Sequence, residues 1–382
     1  MSLTEDIKDF ALDLGYSRVG ITTADPFPGY ITELTARQDM YDFYVNRPTQ
    51  PLKGADPISV MPSARSIIMT VYDYARESFP EKLVGKIGRI YQARCYVAPR
   101  HRINGARPQL MREFLESNGC RVQVDPELRV PERMAACRAG IVTYGKNGFT
   151  FAEGIGSFIM VSAFVVDIGL EYDEPSYEVK CPPECTICID ACPTGALYEP
   201  MKIDPRRCIG FNHWSTQDKK DGSSGRVGSY ILPEIREKMG TWIHGCDICQ
   251  EVCPRNQQRL KAKLPQNEFL TRIAEDFELS KLLNLTDEFF IKRVQPLMYN
   301  YIKHKKYFQR NAAIAIGNTG DSSYIPDLAQ AMQDTEGLVR GYAAWALGKI
   351  GGDQARIILE GCLLRETDKF AKTEIQMALG IN

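Results

Sequence analysis

Long apolar runs are absent from this chain of 382 residues. None approaches the ~20 residues that cross a bilayer, so no membrane-spanning helix is expected. An apolar signal region is missing too: Met1-Ser2-Leu3-Thr4 leads straight into acidic residues. With nothing to direct it to an oxidising compartment, the chain is expected to be cytoplasmic and to keep its thiols reduced. Strong charge of either sign is also lacking, and the formal net charge of −1 points to no class of partner. What is present is 44% hydrophobic and 25% charged content, enough for two or three domains with cores of their own.

Cysteine is plentiful, and it is concentrated. Eight of the 12 cysteines lie between Cys181 and Cys253. The first run is Cys181-x3-Cys185-x2-Cys188-x3-Cys192-Pro193; the second is Cys246-x2-Cys249-x3-Cys253-Pro254, with Cys208 between them. Soft thiolates converging from a short, bent chain suit an iron-sulfur cubane, which needs four of them. In two-cluster ferredoxins the Cys before Pro ligates the other cluster. That rule assigns Cys181, Cys185, Cys188 and Cys253 to one [4Fe-4S] cluster, and Cys192, Cys208, Cys246 and Cys249 to the second. A zinc ribbon would use two C-x2-C pairs and fits eight cysteines poorly. The first gap is one residue longer than in the bacterial ferredoxin run. Pro182 and Pro183 fill it, and they make Cys181 the least regular ligand. Cys95, Cys120, Cys137 and Cys362 fall outside the pattern and are expected to be buried packing residues.

Ahead of the cysteines, helical and strand patterns alternate. Ile7, Phe10, Ala11 and Leu14 share a helix face that ends at Gly15. Strands are expected at Arg18–Thr22, Arg65–Asp73, Arg121–Asp125 and Phe158–Ile168, and helices at Arg107–Asn118 and Pro131–Gly140. This is a layered α/β or α+β pattern. The glycines of Gly145-Lys-Asn-Gly148 and Gly154-Ile-Gly156 either mark turns or let backbone approach a cofactor. After Pro254 the pattern turns helical and repeats: Ala312-Ala-Ile-Ala-Ile-Gly317 returns as Ala343-Ala-Trp-Ala-Leu-Gly348 and weakly as Met377-Ala-Leu-Gly380. A spacing of 31 to 32 residues is that of stacked helical pairs, with small residues at the crossings and a glycine closing each helix. Charge is uneven here, with 12 Lys/Arg against 6 Asp/Glu from Arg255 to Arg310, and 6 against 9 from Asn311 onward.

Three features together carry a family resemblance: Arg133-Met-Ala-Ala-Cys-Arg-Ala-Gly140 with Gly145-Lys-Asn-Gly148, the two-cluster cysteine pattern, and Arg310-Asn-Ala-Ala-Ile-Ala-Ile-Gly-Asn318. The chain resembles the epoxyqueuosine reductases, most clearly at Asp204–Cys208, Gly245–Pro254 and Arg310–Asn318. The resemblance implies an oxidoreductase that removes an epoxide oxygen from a modified tRNA nucleoside with base-off cobalamin and two [4Fe-4S] clusters. It also implies an α+β multidomain fold. Residues 1–175 would form an α/β cobalamin and substrate domain, 176–260 a ferredoxin-like domain, and 261–382 HEAT-like helical repeats. Reductive dehalogenases share the catalytic core but carry a twin-arginine signal and lack the repeats, so the tRNA-modifying branch is favoured.

The family's proton donor is an Asp in a Val-Asp pair shortly before Glu-Arg. Here Val124-Asp125 precedes Glu132-Arg133 with one residue more than the pattern, and Asp125-Pro126 also reads as a simple turn. Tyr144, Tyr96 and His101 are other candidate acids. Gly145, Lys146, Asn147, Asn212, His213, Ile243, His244 and Gly245 are implied neighbours of the corrinoid, or else surroundings of the clusters. No Asp-x-His-x-x-Gly signature is present, which agrees with base-off binding and equally with no cobalamin. Lys303, Lys305, Lys306 and Arg310, with Tyr301 and Tyr307, either contact tRNA or form a solvated helix face. A flavodoxin or ferredoxin is the implied electron donor, and a monomer is expected. Two other readings stay open: a reductase of a small molecule, and a ferredoxin that relays electrons to a partner docked on the repeats.

Overall fold

The computed structural model of the protein describes residues 2–45, 51–93, 103–124, 129–214, 230–295 and 304–381. Strands β1 (Arg18–Thr23), β2 (Ser66–Asp73), β3 (Val122–Val124) and β6 (Ile159–Val166) form a four-stranded sheet in the order β1-β2-β6-β3. Every pairing is antiparallel. Ile67, Met69 and Val71 of β2 enter one core while Ile68 enters another, as the two-residue period of a strand requires. Burial on both faces is why β2 reads in the sequence as one continuous apolar run.

Helices Leu3–Asp13 and Ile103–Ser117 cover one face through Ile7, Ala11, Met111 and Leu115. The first of them starts at a capping box, in which Ser2 and Glu5 satisfy each other's backbone N–H groups. Helix Glu132–Arg138 covers the other face with Ala135, Ala136 and Cys137. The glycine-rich passage after it is a hairpin, β4 (Thr143–Tyr144) and β5 (Thr150–Phe151), turned by the Gly145 N–H donating to the Phe149 carbonyl at 2.9 Å.

Beyond the cysteines the chain is helical. Helices Lys305–Thr319, Gly337–Ile350 and Lys369–Leu379 stack, with Ile325–Ala331 and Asp353–Leu363 as their partners. Gly317 and Gly348 do not close their helices, as the sequence suggested; they sit inside them at the crossings. A Cβ on Gly317 would lie 2.7 Å from the Trp345 ring, and one on Gly348 would lie 2.6 Å from the Ala378 Cβ. The closing residues are Gly320 and Gly351, with φ of 66° and 73°, a region costly to any residue with a side chain. One apolar core runs from Leu83, Ile87 and Ile209 through Ile235 and Ile243 to Leu347 and Ile375, so the repeats share a core with the segment around the cysteines. Among the described residues no helix is long and apolar enough to cross a membrane.

Candidate redox site

Each cysteine run bends around a single helical turn, Ile187–Asp190 in the first and Ile248–Glu251 in the second. Cys208 follows the 3-10 turn Pro205–Arg207, which Asp204 caps by accepting from the Arg206 N–H. These turns gather the thiols into two groups. The Cys188 thiol is pushed up to about 11, mainly by burial and then by Cys253, Cys181 and Cys185. Burial likewise raises Cys246, with Cys208 and Cys249 beside it. Cys249 is raised by burial and by Cys208, Cys192 and Cys188, which places it at the seam between the groups. Buried thiols of this kind stay protonated alone and become thiolates only when a cation offsets the lost solvation. The donor set therefore fits iron.

Polar contacts lock the two groups to the sheet domain. Ser157, two residues before β6, donates through Oγ to Gln250 Oε1 at 2.9 Å, and its N–H donates to Asn256 Oδ1 at 2.9 Å. Asn256 donates in turn to Ser157 Oγ and to the Gln250 carbonyl, both at 2.8 Å. Arg89 reaches Asp247, between Cys246 and Cys249, with its N–H at 2.8 Å and its guanidinium at 3.2 Å. Burial raises the Asp247 carboxyl, and Arg89 works against that rise.

Residues 181–256 match the family described as 4Fe-4S double cluster binding domain, and residues 296–380 match HEAT repeats. Over 385 residues the chain is 30% identical to the epoxyqueuosine reductase of Bacillus subtilis (strain 168), covering 99% of this chain and 95% of that one. The Escherichia coli (strain K12) epoxyqueuosine reductase is 26% identical over 366 residues, 91% and 89% of the two chains. The chain belongs to the epoxyqueuosine reductase family. Solved structures from this family superpose along its whole length. The B. subtilis epoxyqueuosine reductase, with its catalytic aspartate loop swung out of the active site, gives a TM-score of 0.82 at 27% identity, covering 100% and 99%. An epoxyqueuosine reductase holding an epoxyqueuosine-modified tRNA stem loop gives 0.81 at 28% identity, covering 99% and 98%.

Within this family frame, several residues expected at the corrinoid turn inward. Asn212, His213, Ile243 and His244 are at most 1% exposed and offer a macrocycle no surface in this conformation. Asn212 Nδ2 donates to the carbonyls of Arg206 and Cys208 at 2.9 and 3.0 Å, bracing the Cys208 turn. His213 Nδ1 lies 3.0 Å from the Gly245 carbonyl, and burial pushes its ring down to about 3, with His244 and Arg310 adding to the fall. His244 packs between Tyr91 and Phe308, at ring distances of 4.1 and 5.3 Å. Gly245 has φ of 74° and abuts Tyr91, where a Cβ would lie 2.6 Å from the ring. Asn147 donates to the Cys249 carbonyl at 3.1 Å, Gly145 presses on Phe151, and the Lys146 ammonium is taken up by the first cysteine loop. Asn212, Lys146 and Asn147 thus bond the backbone carbonyls of Cys208, Cys185 and Cys249.

Arg310 and Tyr307 correct the expected tRNA contact outright. Both are fully buried, because helix Lys305–Thr319 turns them into the shared core. Arg310 Nη2 donates to the carbonyls of Asn212 and His213 at 3.0 and 3.1 Å. Asn311, which the sequence reading passed over, donates to the carbonyls of His213 and Ile243 at 3.1 and 2.8 Å. A polar Arg-Asn pair amid Tyr-Phe and Ala-Ile residues was the available signal of an internal clamp. Lys305 bonds the Leu285 carbonyl at 3.1 Å, and Lys306 lies 3.5 Å from Glu336. Asp125, Tyr96, His101, Cys95, Tyr301 and Lys303 lie outside the described residues. Burial raises Tyr144 to about 12, leaving it a weak acid for protonating a leaving oxygen. Cys120, Cys137 and Cys362 are buried as expected.

Proposed function

We propose that this chain reduces epoxyqueuosine to queuosine in tRNA, passing single electrons through two [4Fe-4S] clusters to base-off cobalamin. The observation that carries the reading is the pair of crossed thiol groups, in a chain that aligns end to end with a relative solved on an epoxyqueuosine-modified stem loop. Three working units, 1–175, 176–260 and 261–382, divide substrate and cofactor binding, electron transfer and tRNA docking. The chain acts as a monomer fed by a low-potential flavodoxin or ferredoxin.

The resemblance to the epoxyqueuosine reductases implies the cobalamin, and the half-buried Met160, Val161 and Ser162 of β6, close in sequence to Ser157 and its bonds to the second cysteine run, are the surface we assign to it. When bound, cobalamin supplies a metal that accumulates the two electrons deoxygenation consumes. Asp125 follows β3 immediately in sequence and is the residue we assign to protonate the leaving oxygen. Lys303, Lys305 and Lys306 supply the positive charge for tRNA phosphates.

The test uses protein purified without oxygen from cobalamin-supplemented cells, with its iron and cobalt counted. It is then given a reduced flavodoxin and tRNA from cells lacking the reductase. Loss of one oxygen from the modified nucleoside, read by mass spectrometry, is the expected result. An unchanged nucleoside with both metals present overturns the proposal.

A further inference from the structure

We infer that Lys146 is a positioning residue for the cluster of Cys181, Cys185, Cys188 and Cys253: it shapes the outer ligand loop and supplies the positive charge that sets that cluster's potential. The inference rests on these thiols holding a cluster, and it is independent of the substrate. Lys146 Nζ donates to the carbonyls of Pro182, Pro183 and Cys185 at 2.8, 2.5 and 3.0 Å. An ammonium has three N–H donors, and here each meets one acceptor. The loop needs them. It carries one residue more than the ferredoxin spacing, and Pro182 and Pro183 have no N–H with which to brace it. Its own closing bond runs from the Cys185 N–H to the Pro182 carbonyl at 3.1 Å.

The lysine is itself held firmly. It sits in the turn of the β4–β5 hairpin, and its carbonyl accepts from the Met201 N–H at 2.7 Å. Met201 adopts φ of 61°, rare for a side-chain-bearing residue, to reach it. The extra loop residue, the two prolines and the lysine thus form one device, and they account for the irregular gap before Cys185. Reduction adds one negative charge to the cluster, and a fixed cation at the Cys185 carbonyl favours the reduced form. Cluster potentials respond to such local charge and hydrogen bonding.

The experiment compares anaerobic holoprotein with Lys146→Met and Lys146→Arg by redox titration under electron paramagnetic resonance, with iron counted in each. The methionine variant keeps the stem and loses the charge and all three donors. One reduction wave should fall, with a tenfold change in the electron equilibrium, about 59 mV for one electron, while the other wave stays. Arginine should restore most of the shift. If methionine prevents loading, selective loss of about four irons, recovered in the arginine variant, supports the same role. Acetylation of wild-type protein gives a second readout, with Lys146 protected in the loaded state and labelled after iron is stripped. Unmoved waves with full iron, or equal labelling in the two states, overturn the inference. Wild-type protein that binds no iron would overturn the cluster reading beneath it.

Discussion

Replacing Asn311 by leucine tests whether the first repeat helix clamps the cluster-bearing segment. Asn311 is fully buried and donates to the carbonyls of His213 and Ile243, while its Oδ1 accepts from Arg310 Nε at 3.0 Å. Leucine fills nearly the same space with no polar atom. The His213 carbonyl keeps its bond from Arg310, so the change takes away the bonds that Asn311 gives to two groups, the Ile243 carbonyl and the Arg310 Nε. Each costs about 1–3 kcal/mol, the charged donor at the upper end, giving a loss of about 4 kcal/mol. For a chain of this size that is a fall in Tm of roughly 5 °C. Asn318→Leu is the internal control. Asn318 lies on the same helix and donates to the carbonyls of Arg236 and Gly240 at 2.8 and 3.1 Å, but it is half-exposed and water can replace it. Its loss should cost only about 1 kcal/mol. Thermal unfolding of anaerobic holoprotein, followed by fluorescence and by cluster absorbance, reads both variants. Equal falls in Tm would refute the clamp.

Cys249→Ser should retain about four of eight irons and lose all turnover, as iron analysis and a tRNA assay would register. Asp125→Asn should leave cluster and cobalt spectra unchanged while slowing deoxygenation at least tenfold; full activity would remove Asp125 as proton donor. Glu374→Leu strips Arg236 of its bidentate partner, whose bonds are 2.7 and 2.8 Å, and should cost about 3–5 kcal/mol in thermal unfolding because it leaves a buried charge unpaired. His213 falls from 6.5 to about 3 through burial, so below pH 6.5 the unfolded chain takes up a proton that the folded chain refuses. Stability should therefore be full above pH 6.5 and about 2 kcal/mol lower by pH 5, and His213→Asn should flatten that part of a Tm-against-pH curve.

The strands and the gathering of the cysteines were legible because each depends on a local signal: a continuous run rich in β-branched residues in β2, and short Cys spacings closed by Pro193 and Pro254. The sheet helices were legible for the same reason, to within a few residues at their ends. The short helices between Pro28 and Val60 were not, since their few turns carry little periodicity. Arg310 was misread because charge is a surface signal only on average. Its helix face, set by Tyr307, Phe308 and Ile314, points into the core. The glycines of the repeats were recognised as packing devices, but Gly317 and Gly348 were also taken as helix ends, a role that belongs to Gly320 and Gly351. Lys146 shows a further limit, since its acceptors lie 36 to 39 residues away and no spacing rule connects them.

The crossing of the cysteine groups has a consequence for how the chain is made. With Cys253 completing the first set and Cys249 the second, neither site exists on the ribosome until nearly the whole cysteine-bearing segment has emerged. Helix Lys305–Thr319, which covers the backbone of Asn212, His213 and Ile243, is synthesised only afterwards. Both sets of thiols are thus complete before the helix that braces their backbone exists, so iron delivery need not wait for the repeats. Truncation before residue 305 would remove that brace and leave the full set of thiols.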